Sequence, residues 1–160
     1  MRLEIVSHKE SETDCIGKCI GGLLKGGEII LLDSDLGGGK TALTRGLAEG
    51  IGSGDDVTSP TFAINQTYTG KKLEIHHYDL YRLDTLGEVE YEMLEFINEP
   101  SSVVVVEWPG LAESMLANRD KIIIKIYRQK SSEDERLITI EYSDSLDYAI
   151  DADMLEDHPC

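Results

Sequence analysis

Ile29-Ile30-Leu31-Leu32 runs directly into Asp33-Ser34-Asp35-Leu36-Gly37-Gly38-Gly39-Lys40-Thr41, and that join restricts the possible folds more than any other stretch. The apolar run reads as a buried strand. Beyond the glycines, residues 42 to 51 place Leu43, Leu47 and Ile51 on one helical face. Strand, glycine loop, Lys-Thr pair and helix together form the context of a phosphate-binding loop. Three glycines permit the tight turn that converges successive N–H groups on an anion. The helix start adds unpaired donors and the positive end of a dipole. Lys40 can reach outer phosphates as a point charge, and Thr41 can offer its hydroxyl to a magnesium ion. Ser34 departs from the usual pattern, which has glycine at that position. A serine there must keep negative φ or accept strain of roughly 1–3 kcal/mol. A plain glycine-rich turn with a surface lysine would not require both flanking elements and the four remaining loop positions to agree.

The chain has 160 residues, the size of one domain. Such a domain buries about two-thirds of its unfolded surface. Fifteen basic residues oppose thirty-one acidic ones, a net charge of −16. That balance repels bulk nucleic acid, whose non-specific binding depends on lysine and arginine. A role near RNA would need a partner to hold the RNA. No apolar run approaches a membrane span, and Met1-Arg2-Leu3-Glu4 is unlike a secretory signal, so a cytoplasmic protein without membrane contact is expected. Cys15 and Cys19 lie four apart on a predicted helix and read as small core residues. No zinc-like spacing accompanies them or Cys160.

In chain order, Leu3 to Val6 predicts a strand, and Ser7 with Glu10 predicts a capping box for a helix carrying Ile16, Cys19, Ile20, Leu23 and Leu24. After the glycine loop and its helix, Gly52 to Asp56 reads as a mobile connection. Val57-Thr58-Ser59-Pro60-Thr61-Phe62 then reads as an extended piece, because Pro60 keeps Ser59 out of helical geometry. It is either a polar loop entering a strand or a switch loop in which Thr61 senses the last phosphate. Phe62 to Tyr68 and Leu73 to Tyr78 predict a hairpin that leads into Asp79-Leu80-Tyr81-Arg82. Asp79, at a strand end, suits contact with magnesium or water, or else pairs with Arg82 or caps a turn. His77 reads as a satisfied core histidine. Thr85 and Glu88 predict a second capping box. Val103 to Val106 has no polar alternation, as in a strand buried on both faces, and it ends in Glu107-Trp108-Pro109. Four apolar residues followed by a carboxylate have the form of a magnesium-binding strand end, and a buried charge demands a partner. Residues 121–127 and 137–142 predict two further strands. The reading divides the chain into a domain at 1–143 and an acidic tail at 144–160, expected to be solvated and partly disordered.

The glycine loop, Ser59-Pro60-Thr61-Phe62, His77-Tyr78-Asp79-Leu80-Tyr81-Arg82 and Glu107-Trp108-Pro109 occur in an order and spacing that resemble the TsaE (YjeE) family, over roughly residues 3 to 142. The resemblance implies an α/β fold of the P-loop NTPase kind, a mixed, central sheet flanked by helices. It implies ATP and Mg2+ as ligands, with Leu36, Gly37, Gly38, Gly39, Lys40, Thr41 and Ala42 around the phosphates. Thr41 and Glu107 would hold the metal, and Asp79 would orient or deprotonate the attacking water. Thr61 would lie in the switch loop, Trp108 beside the nucleotide and Glu10 against the nucleoside, and Arg136 would match an arginine near the nucleotide. The implied function is an ATPase that acts on a TsaB–TsaD complex during threonylcarbamoyladenosine modification of tRNA, without binding tRNA itself. A small-molecule kinase shares the loop and metal ligands, but 160 residues leave little room for an acceptor domain and lid. A nucleotide-binding regulator with little hydrolysis is the remaining alternative.

Overall fold

The computed structural model describes residues 1–60 and 62–157. Its centre is a seven-stranded mixed sheet in the order β1-β7-β6-β2-β5-β4-β3. The strands are β1 (Arg2–Ser7), β2 (Ile29–Ser34), β3 (Asn65–Thr69), β4 (Glu74–Asp79), β5 (Ser102–Glu107), β6 (Ile122–Arg128) and β7 (Arg136–Tyr142). The helices are α1 (Glu10–Leu23), α2 (Lys40–Gly50), α3 (Glu88–Ile97), α4 (Glu113–Leu116) and α5 (Ala152–Asp157). β2 pairs in parallel with both β5 and β6, and β4 extends the parallel set beside β5. The hairpin partners β3 and β7, and β1 beside β7, complete the sheet with antiparallel pairs.

Helices cover both faces, so the central strands are apolar without alternation. Ile30, Leu32, Val103 and Val105 join α1 and α2 in one core cluster. Ile29, Leu31, Val104 and Val106 join Met93 and Ile97 of α3 in the other. All six residues of β5 are buried, as the valine run predicts. β4 lies inside the sheet between β5 and β3, and both its faces are buried, including His76 and His77.

The α1–α2 crossing is set by glycines. Gly17 and Gly21 of one helix face Gly46 and Gly50 of the other, and a Cβ on Gly50 would stand 2.7 Å from the Gly21 Cα. A methyl on Gly46 would overlap the Asp14 carbonyl oxygen and approach Lys18 N to 2.7 Å, whereas Gly22 has nothing within 4 Å. Gly46→Ala is therefore expected to destabilise by roughly 2 kcal/mol through overpacking, about 4–8 °C in a domain of this size. Gly22→Ala, the same substitution on an open helix face, should be neutral or stabilising by up to about 1 kcal/mol. Thermal unfolding of the two variants checks the contrast.

Three sequence expectations need correction. α1 does not start from a Ser7–Glu10 capping box. Ser7 is the last residue of β1 and fully buried, and its hydroxyl donates to Lys9 O at 3.0 Å and lies 2.7 Å from Thr13 Oγ1. Glu12, not Glu10, accepts the His8 N–H at 2.7 Å. Nor does Thr85 cap α3, whose N-cap is Gly87 at φ 53. The acidic C-terminal segment is also more ordered than its composition suggests. A 3-10 helix at Asp144–Ala149 and α5 pack on the α1 side, with Leu146, Ala149, Ile150 and Leu155 buried in the core. Tyr148 OH donates to Glu28 Oε1 at 2.6 Å and pins the segment to the turn before β2. The packed structure thus continues past residue 143. Asp144, Asp147, Asp151 and Asp153 are exposed, so the charges that suggested a solvated tail do not oppose the burial of its apolar residues. Cys160 lies outside the described residues; Cys15 and Cys19 are buried on α1. Among the described residues, no helix is long and apolar enough to cross a membrane.

Candidate active site

β2 delivers the glycine loop to the carboxyl edge of the sheet, between its parallel neighbours, where α/β folds bind ligands. Ser34 ends the strand and is not among the residues with positive φ, so it needs no strained backbone. Its side chain packs under the loop, where a Cβ on Gly38 would meet the Ser34 Cβ at 2.8 Å. Gly37 and Gly39 turn the chain at φ 71 and φ 114, conformations that other residues rarely adopt. Gly39 is the N-cap of α2, and no side chain caps that helix. The Lys40 side chain folds back into the loop, where Nζ donates to Ser34 O at 3.0 Å, Ser34 Oγ at 2.9 Å and Asp35 O at 3.3 Å. Lys40 is only 7% exposed, and burial lowers its pKa against the opposing pull of Glu107, Asp79, Asp33 and Asp35.

Two carboxylates end neighbouring parallel strands in register, Asp79 on β4 opposite Glu107 on β5. Both are buried. Asp79 Oδ1 accepts the Tyr81 N–H at 3.0 Å, the turn-capping alternative raised by the sequence. This does not conflict with a role toward water, since a carboxylate has lone pairs to spare. Glu107 Oε1 lies 2.8 Å from His77 Nε2. Immediately after Glu107, Trp108 adopts a left-handed backbone, φ 54 and ψ 60. Such a conformation costs a bulky residue about 1–3 kcal/mol. Its ring lies 4.6 Å under Lys40 Nζ and 4.9 Å from the Tyr81 ring.

One cavity of about 590 Å3 collects these groups. Leu36, Gly37, Gly38, Gly39, Lys40, Thr41, Ala42, Asp79, Glu107, Trp108, Glu10 and Arg136 all line it. Thr61 lies outside the described residues, but Ser59 from the same loop lines the cavity. Glu10 reaches it from the first turn of α1 while paired with Arg45 at 3.3 Å. Arg136 Nε donates to Gly38 O at 3.1 Å. Arg128, unremarked in the sequence, donates from Nη2 to Gly37 O at 2.9 Å, so the β6–β7 hairpin holds the glycine loop through two arginines. Thr13, Arg82 and Asp134 also line the cavity. Tyr81 and Arg82 stand in a segment that the resemblance already singled out, whereas Thr13 and Asp134 carried no sequence signal. The connection after α2, expected to be mobile, is held to β3: Asp55 Oδ2 accepts the Thr69 N–H at 2.8 Å, and Thr58 O accepts from Tyr68 OH at 3.1 Å.

Residues 7–149 match the family described as threonylcarbamoyl adenosine biosynthesis protein TsaE. The chain belongs to the TsaE family. Similar proteins include the tRNA threonylcarbamoyladenosine biosynthesis protein TsaE of Bacillus subtilis, 39% identical over 129 residues, 80% of this chain and 78% of that protein. The protein of the same name from Streptomyces coelicolor is 36% identical over 78% of this chain and 86% of its own length. The fold matches the crystal structure of YdiB from Bacillus subtilis with a TM-score of 0.75 and 30% identity, over 100% of this chain and 97% of that one. Family membership places the chain in threonylcarbamoyladenosine biosynthesis and agrees with the α/β architecture expected from the sequence.

Proposed function

We propose that this protein is a magnesium-dependent ATPase that supports threonylcarbamoyladenosine modification of tRNA by acting on a TsaB–TsaD complex. The observation that carries this reading is the convergence on one cavity of an uncapped helix start, a buried lysine and two strand-end carboxylates in register. The donor set suits a nucleotide with a hard cation. Thr41 and Glu107 supply oxygen donors, and among the described residues no group of three or more His, Cys, Asp and Glu would hold an ion unaided. Magnesium bound through one or two protein oxygens and the phosphates of its substrate needs no more. When bound, it would neutralise charge on the phosphate oxygens. Lys40 would exchange its loop carbonyls for the outer phosphates, and the α2 start would hold them through backbone N–H groups. Asp79 would orient water for in-line attack on the terminal phosphate. Glu10 would lie against the nucleoside, Trp108 would stand beside the nucleotide next to Lys40, and Arg136 would hold the loop at its phosphate side.

The net charge of −16 opposes contact with tRNA phosphates, so the partner is read as protein. Phosphate release by the purified protein should be slow, should need magnesium, and should rise when TsaB and TsaD are added together. The protein alone should shift no tRNA at physiological salt. Mg-ATP should alter Trp108 emission, because drawing Lys40 Nζ toward phosphate changes the contact now at 4.6 Å from the indole. Unchanged turnover in a verified three-protein complex, tight tRNA binding by the protein alone, or phosphate transfer to an added small molecule would each overturn the reading.

A further inference from the structure

Behind Glu107 lies a line of buried polar groups that the proposed chemistry leaves unused. His77 is fully buried, and Tyr68 and Glu107 are each 2% exposed. His77 Nε2 lies 2.8 Å from Glu107 Oε1, and Nδ1 lies 3.2 Å from Tyr68 OH. Tyr68 OH in turn lies 3.1 Å from Thr58 O and 2.8 Å from Gln66 Oε1. Sheet register builds this line. His77 sits opposite Val105, two residues before Glu107, and Tyr68 sits opposite Ile75, two residues before His77. With a period of two, all three side chains project from one face across three adjacent strands.

The chemistry of the line is restrictive. One imidazole bridges the two groups, its Nε2 on the Glu107 carboxylate and its Nδ1 on the Tyr68 hydroxyl, so the ring cannot turn without losing both contacts. Burial pushes the Tyr68 phenol up to about 12, so it remains a hydroxyl with a single proton. The hydroxyl donates toward Thr58 O and Gln66 Oε1, and His77 Nδ1 lies within hydrogen-bond reach of it. This one hydroxyl therefore joins the His77–Glu107 contact to the backbone of Thr58. Thr58 adjoins Ser59, which lines the cavity.

We propose that His77 and Tyr68 are positioning residues that couple Glu107 to the 53–60 segment. His77 aims the carboxylate that would meet the ion, and Tyr68 passes that state to the loop. The inference rests on the magnesium–ATP reading above. A role limited to filling the core would leave the magnesium dependence untouched.

Three variants separate the links. His77→Gln keeps an N–H toward Glu107 and deletes the ring contact with Tyr68. His77→Leu deletes both, and Tyr68→Phe removes only the hydroxyl. ATP binding is followed by Trp108 emission over a magnesium titration, and amide hydrogen exchange is followed over residues 53–60. Partners of a metal-binding side chain typically change metal affinity 10–100-fold. His77→Leu should therefore raise the magnesium midpoint about 10-fold or more and leave magnesium-free binding unchanged, while His77→Gln stays within about 3-fold of wild type. Tyr68→Phe should keep the midpoint and lose the exchange protection that Mg-ATP gives residues 53–60. If His77→Leu does not fold, the His77→Gln and Tyr68→Phe pair carries the test: a preserved midpoint with lost loop protection in both supports the coupling. Wild-type midpoints and protection in every folded variant overturn it. A wild-type protein that binds no Mg-ATP overturns the functional reading, and the coupling with it.

Discussion

Lys40→Ala should bind Mg-ATP about 30-fold to several thousand-fold more weakly than wild type and keep its melting temperature. The Lys40 ammonium is buried and held by three neutral or carbonyl oxygens, two from Ser34 and one from Asp35. Burial depresses its pKa against the pull of Glu107, Asp79, Asp33 and Asp35, and phosphate oxygens would give the ammonium directly bonded anionic partners in place of neutral oxygens. Removing one partner of a desolvated charge pair costs about 2–5 kcal/mol of binding, which is roughly 30-fold to several thousand-fold. Little loss of fold stability is expected, since the desolvation penalty removed with the buried cation offsets the three loop hydrogen bonds lost with it. Calorimetric titration with Mg-ATP, beside thermal unfolding, checks both halves. Wild-type affinity in a folded Lys40→Ala protein would sink the site assignment. Ser34→Gly provides a counterpart: it removes one Lys40 partner and the side chain under Gly38, and should leave affinity unchanged or raise it.

The glycine loop was legible because it is a contiguous segment whose function depends on backbone conformation, and the residues that permit such conformations are few. The strand-end carboxylates were legible for another reason: an acid after an apolar run is expensive unless it has a task. What escaped the sequence depends on contacts between distant segments. Gly17, Gly21, Gly46 and Gly50 read as ordinary helix residues until two helices are laid together. Arg128 became part of the site only because β6 pairs with β2 and its end overhangs Gly37. Ser7 failed as a cap because β1 continues through it, and pairing with β7 as far as Arg136 outweighed the local capping preference. The acidic tail was misjudged by charge. Its few apolar residues are spaced to meet α1, and charged neighbours on an exposed face do not oppose that packing. His77 was read as a satisfied core histidine, and it is satisfied, but by Glu107, a partner that strand register alone could reveal.

Asp79→Asn and Glu107→Ala should produce different defects, although the two residues face each other in register. Glu107 ends a strand buried on both faces and is offered to the cavity beside Thr41, where the ion would share its oxygens with the phosphates. Its loss should weaken ATP binding only when magnesium is present, and turnover should fall with it. The variant also strands His77, whose buried Nε2 loses its acceptor, so a drop in stability of about 1–3 kcal/mol should accompany the loss. Asp79 is anchored differently, through the Tyr81 N–H to Oδ1. Asparagine preserves that acceptor and the side-chain volume but removes the negative charge that would orient or deprotonate water. Asp79→Asn should therefore bind Mg-ATP within about 3-fold of wild type, and phosphate release should fall by roughly 100- to 10,000-fold, the range lost with a positioned general base. The separation is read from binding and single-turnover hydrolysis measured on the same preparations. If both variants lose binding equally, the two carboxylates act as one metal site. If Asp79→Asn turns over normally, the base must come from elsewhere in the cavity, and the position of Ser59 makes the segment after α2 the first place to look.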